Sequence, residues 1–157
     1  MKINPAHISP CGLYCGVCGI YHATRENNLR FLKVLLRMYK SILPGTEGYT
    51  IDDLRCDGCH AERRSFTCRS CAVRDCTEKK QYDGCHECNS FPCSLIINFP
   101  VKTGRKVILR TIPYRREHGT EKWIRDEEKR YFCPGCNSRL FRGITRCNKC
   151  RESVNLD

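Results

Sequence analysis

Residues 56–93 read CDGCHAERRSFTCRSCAVRDCTEKKQYDGCHECNSFPC, eight cysteines spaced C-x2-C-x8-C-x2-C-x4-C-x8-C-x2-C-x4-C. The unit C-x2-C-x4-C occurs twice, at Cys68/Cys71/Cys76 and at Cys85/Cys88/Cys93, 17 positions apart. A Cys-x-x-Cys turn aims two thiolates at one point, which is the geometry a tetrahedral metal ion needs. Cys56/Cys59 with Cys68/Cys71, and Cys76 with Cys85/Cys88/Cys93, make two candidate four-thiolate sites.

Two further cysteine groups flank this stretch. Upstream, ISPCGLYCGVCGIYHA holds Cys11, Cys15 and Cys18 in the spacing C-x3-C-x2-C. That spacing matches the iron–sulfur triad of radical S-adenosylmethionine enzymes, whose large barrel a chain of 157 residues so occupied by other cysteines does not build. Three zinc ligands, completed by a distant cysteine or by His22 one helical turn after Cys18, are the preferred assignment, with a surface role the default for the histidine. Sharing of at least one ion between this triad and the central block is the preferred scheme over sequential pairing, because it would hold the intervening helix in place. Downstream, CPGCNSRLFRGITRCNKC gives Cys133-x2-Cys136-x10-Cys147-x2-Cys150. Two knuckles of this spacing predict a zinc ribbon, with strands at Ser138–Phe141 and Gly143–Arg146 and a left-handed residue at Asn137.

Composition agrees with metal in place of a large core. Of the 157 residues, 15 are Cys, and only 48 other residues are apolar. A chain so lean normally draws stability from cross-links or metals. Disulfides are disfavoured, because MKINPAHISPCG carries no apolar signal segment and the cysteine count is odd. The expectation is a reducing cytoplasm, no membrane, and about three or four zinc ions per chain. The formal charge of +11 counts every thiol as neutral. Three four-thiolate zinc sites would lower it to about +5, so the raw figure overstates attraction to nucleic acid.

Between the cysteines, Leu29, Leu32, Leu36, Tyr39 and Leu43 recur at helical spacing, with Asn27 or Asn28 to cap and Pro44-Gly45 to end the helix. Residues 44–55 read as a loop, and 69–80 and 86–99 as short helices after Cys-x-x-Cys turns. Residues 101–116 carry six basic side chains and no acid. They predict a short helix interrupted by Pro113, and a candidate surface for nucleic acid or an acidic protein. Thr120 is positioned to cap a further helix. The fold class expected is a small metal-stapled α+β protein: an irregular cysteine-rich helical domain over 1–100, a basic helical connector over 101–130 and a β zinc ribbon over 131–157.

The cysteine order resembles that of a prokaryotic cysteine-rich family, domain of unknown function 3795. The likeness rests on ISPCGLYCGVCGIY, CDGC at 56–59, CRSCAVRDC at 68–76 and CHECNSFPC at 85–93. Members with a longer tail are similar through EKWIRDEEKRYFCPGC and CNKC; Tyr14 departs from the acidic residue associated with its position. The resemblance implies zinc binding at these cysteines and supplies no activity.

The leading expectation for function is a non-catalytic zinc-binding interaction module. Four-thiolate sites leave no open position for a reacting water, and no triad, phosphate loop or metalloprotease motif is present in the sequence. The alternatives are an iron–sulfur redox or sensor protein, for which Cys85, Cys88 and Cys93 with the adjacent Pro92 are compatible, and a nucleic-acid-binding zinc protein.

Overall fold

Several cysteines stand where helices begin. Cys18, Cys71 and Cys93 occupy the N-cap positions of α1 (Gly19–Arg25), α5 (Ala72–Lys79) and α6 (Ser94–Ile97). These helices are too short to persist on propensity alone, so their geometry depends on what fixes their ends. A helix N-terminus favours negative charge, thiolate included.

The computed structural model describes residues 3–157. The remaining helices are α2 (Leu29–Ile42), α3 (Ile51–Leu54), α4 (Phe66–Arg69), α7 (Lys102–His118) and α8 (Thr120–Arg130), with single 3-10 turns at Pro5–His7, Cys15–Val17 and Cys85–Glu87. The long amphipathic helix lies where its periodicity predicts, and the Asn28 side chain caps it by accepting from Phe31 N at 3.0 Å. Residues 44–55 contain α3, closed by a reciprocal capping box between Thr50 and Asp53. Thr120 is the first helical residue of α8 rather than its cap, which is Gly119.

Pro113 does not interrupt α7. It lies inside the helix on an exposed turn, and Leu109, whose carbonyl loses its amide donor, is 37% exposed. Water can therefore satisfy the group that proline leaves without a partner.

Three apolar clusters make up the core. Tyr14, Val17, Trp123, Ile124, Tyr131 and Leu140 join the tail to α8. Val73, Ile96, Ile108 and Ile112 gather with Cys11 and Cys85 under α7. Ile20, Leu32 and Leu54 close around Cys56. Residues 11–20 contribute to all three, so the N-terminal cysteine segment runs through the centre of the molecule. Gly12 makes that path possible. Its φ is +86°, and a Cβ there would lie 2.6 Å from Thr111 Oγ1, which donates to the Gly12 carbonyl at 2.9 Å. Tyr14 anchors the next turn, its phenol donating to Glu128 of α8 at 2.6 Å.

The expected α+β class with a C-terminal β ribbon is not what forms. The described chain is helical and contains no sheet; the tail has only the isolated bridges Phe132↔Arg139 and Arg146↔Ser153. Each knuckle closes on itself instead of pairing with the other. Cys133 N donates to Ser138 O at 2.9 Å and Asn137 N to Cys133 O at 2.8 Å. In the second knuckle, Cys147 N donates to Glu152 O at 2.8 Å and Arg151 N to Cys147 O at 3.0 Å. Asn137 and Arg151 take matching left-handed conformations, φ 56° and 66°. The residues assigned to a hairpin are thus spent within their own knuckles. The turn between them packs elsewhere: Phe141 lies 5.3 Å from the Phe31 ring and 5.5 Å from that of His22.

Candidate metal centres

The two tail knuckles bring Cys133, Cys136, Cys147 and Cys150 together, with all four sulfurs within 4.8 Å of one another. Sγ–Sγ distances are 3.4 Å for Cys133/Cys150 and 3.7 Å for Cys136/Cys147. A tetrahedral ion with metal–sulfur bonds of about 2.3 Å separates its ligands by roughly 3.8 Å, so this cluster can hold a metal ion. The contacts are far too long for disulfides, whose sulfurs bond at about 2.05 Å, and every cysteine of the chain is free.

Hydrogen bonding prepares these sulfurs for negative charge. The Ser138 hydroxyl lies 3.1 Å from Cys136 Sγ and 3.2 Å from Cys147 Sγ, and Lys149 N donates to Cys147 Sγ at 3.4 Å. The Ser138 hydroxyl, with the backbone N–H groups of Cys150 and Lys149, lowers the Cys147 thiol to about 5. Ser138 also holds Cys136 below its ordinary value. At Cys150 the Glu152 amide acts downward, but the neighbouring thiols outweigh it and push the group up to about 12. Four thiols this close cannot all ionise without a cation between them.

The second arrangement lies between α5 and the segment 85–95. Cys76, Cys85, Cys88 and Cys93 line one cavity of about 40 Å³, with Val73 and Phe91 among its apolar walls. Burial, reinforced by charge on Cys93, Cys88 and Cys76, raises the Cys85 thiol to about 11. Lys80, one turn beyond Cys76 in the sequence, directs its ammonium at Cys88 Sγ from 3.7 Å. Arg116 of α7 braces the turn, donating to the His86 and Cys88 carbonyls at 2.8 Å each.

The remaining seven cysteines, Cys11, Cys15, Cys18, Cys56, Cys59, Cys68 and Cys71, lie where the N-terminal segment crosses the central block. Burial first, then the charges of Cys56, Cys18 and Cys59, raises the Cys68 thiol to about 12. Arg74, buried, approaches Cys59 Sγ at 4.0 Å and donates to the Cys68 carbonyl at 3.1 Å. Arg142, reaching across from the tail, donates to the Tyr14 carbonyl beside Cys15 at 3.3 Å. His22 Nε2 is engaged with the Gly16 carbonyl at 2.7 Å. Among the described residues, no group of three or more potential ligands other than the tail cluster lies within 4.8 Å.

Four of the six basic side chains in 101–116 are engaged within the chain, though only Arg115 is buried. Arg110 pairs with Glu127, Arg115 is buried 5.1 Å over the Trp123 ring, and Arg105 donates to the Ile97 carbonyl at 2.8 Å. With Arg116 they clamp neighbouring elements. Lys102 and Lys106 face solvent beside a cleft of about 200 Å³ shared with residues 143–145 and 154–157. Among the described residues no helix is long and apolar enough to cross a membrane.

Sequence spacing identified the cysteines but missed the groups that touch their sulfurs. Ser138 and Lys80 follow a cysteine closely enough to have been suspected. Arg116 and Arg142 approach through the fold and carry no local signal, and Arg74, although three residues after Cys71, reaches the sulfur of Cys59.

The fold and site define a helical, cysteine-rich chain whose tail thiols are clustered closely enough to hold a metal ion. The model of the family described as protein of unknown function (DUF3795) matches residues 7–98, and the chain belongs to that family. The tail cluster lies beyond the matched region. No curated protein matches the chain, and no solved structure does.

Proposed function

We propose that this protein is a metal-stapled scaffold whose tail holds one structural zinc ion and which acts as a non-catalytic interaction module. The observation that carries the reading is the four-sulfur tail cluster, with spacings of 3.4 and 3.7 Å close to a single-ion tetrahedron. Four thiolates fill the coordination sphere of zinc, leaving no position for a water to be activated. Cys133, Cys136, Cys147 and Cys150 would hold the ion; what zinc supplies there is fixed geometry. The other eleven cysteines are proposed as ligands of further metal.

Metal analysis of the purified chain tests this. The parent should carry tail zinc, and Cys147→Ser should lose about one zinc equivalent with the order of residues 131–157, seen by NMR. An unchanged zinc content in that variant would sink the assignment.

A further inference from the structure

Cys76, Cys85, Cys88 and Cys93 differ from the tail cluster in a way that bears on what they bind. All four line one cavity, yet no three of their sulfurs lie within 4.8 Å of one another. A single ion at about 2.3 Å from four sulfurs would draw them into a tetrahedron with edges of roughly 3.8 Å. The space they line is also larger than one ion requires. About 40 Å³ compares with the roughly 10–15 Å³ that a single water occupies on this measure, so several atoms fit. A cluster of several irons distributes its four thiolate ligands over different metals, which separates the sulfurs and fills the space between them.

We infer that Cys76, Cys85, Cys88 and Cys93 ligate an iron–sulfur cluster, so that this chain combines a single-ion site in the tail with a polynuclear site under α5. The surroundings fit that cofactor. Val73 and Phe91 give the cavity apolar walls, and the Lys80 ammonium lies 3.7 Å from Cys88 Sγ, where it would offset the negative charge of a thiolate-bound cluster. Arg116, through the His86 and Cys88 carbonyls, holds the turn bearing two of the ligands. The tail zinc serves as an internal control, because the two sites share no cysteine.

The test uses the full chain purified without oxygen and reconstituted with ferric iron, sulfide and a thiol reductant that supplies the electrons for any ferrous sites. Expected are iron and acid-labile sulfide in equal amounts, about two or four of each per chain, with broad visible absorption near roughly 400 nm. Cys88→Ser and Cys93→Ser should each lower iron and sulfide by at least about tenfold while the tail zinc stays. If either variant fails to fold, Lys80→Met decides the matter: it should keep the cluster and move its reduction potential to a more negative value, because a cation beside the sulfur favours the reduced form. Three results would overturn the assignment. They are a parent that takes up zinc but no sulfide at these cysteines, a cluster that persists in both cysteine variants, or a potential unmoved by Lys80→Met. Loss of tail zinc in Cys147→Ser is scored separately, so failure here does not touch the tail assignment.

Discussion

The tail and the 76–93 cavity use the same number of cysteines and arrange them differently. In the tail, two Cys-x-x-Cys knuckles face one another and close the sulfurs to 3.4–3.7 Å. Around the cavity one such turn, Cys85/Cys88, is joined by single cysteines from α5 and from the N-cap of α6, and the sulfurs stay apart around about 40 Å³. Two knuckles approach as matching units and converge on one point. Thiols carried by separate elements stand as far apart as the packing of those elements leaves them. Donor number therefore says less about a site than the backbone units that deliver the donors.

Substitutions can break this contrast from either side. The largest effect belongs to the proposed tail ligands: Cys133→Ser or Cys147→Ser should release the proposed tail zinc and unfold residues 131–157, while Val73 and the cavity keep their order in NMR spectra. A structural zinc supplies about 10–16 kcal/mol of apparent binding energy, comparable to the whole stability of an ordinary domain. Gly12→Val comes next. A side chain there meets Thr111 and Ile112 from a left-handed backbone, so stability should fall by about 2–4 kcal/mol in chemical denaturation. Because residues 11–20 cross all three core clusters, this change should loosen the cavity and the tail together.

Ser138→Ala separates the sites more finely. It removes the hydroxyl 3.1 and 3.2 Å from Cys136 and Cys147 Sγ, and should weaken tail metal affinity by about 10–100-fold in chelator competition, leaving cavity metal unchanged. The sign with pH follows from the same contacts. Ser138 and neighbouring amides lower Cys147 to about 5; without the hydroxyl its proton should compete with metal from a higher pH, and tail zinc should be lost earlier on acidification. The smallest effect is that of Arg116→Ala. This exposed side chain donates to two carbonyls, and its loss should cost about 1 kcal/mol, read as faster metal release from the cavity with tail release unchanged.

Much of the molecule was readable from residue order. The α2 stripe, Asn28 as its cap and the left-handed Asn137 all follow from local rules, because each depends on neighbours a few positions away. The tail cysteines were readable as a group for the same reason. Their β ribbon was not. Spacing shows that two knuckles can meet, but each knuckle satisfies its amides internally, and only the packing of Phe141 against Phe31 and His22 takes the intervening residues out of a hairpin. The interruption expected at Pro113 also failed, since its cost depends on whether the freed Leu109 carbonyl meets water.

Family membership and the potential to bind metal were determined by the sequence itself, through cysteine order and the turns that cysteine pairs impose. The tertiary structure decided which thiols become neighbours and how widely they stand. It also brought Arg74, Arg116 and Arg142 from distant positions to the sulfurs or to the turns that carry them. Local spacing governs a turn, whereas the separation of two thiols on different helices is governed by the core that packs those helices together.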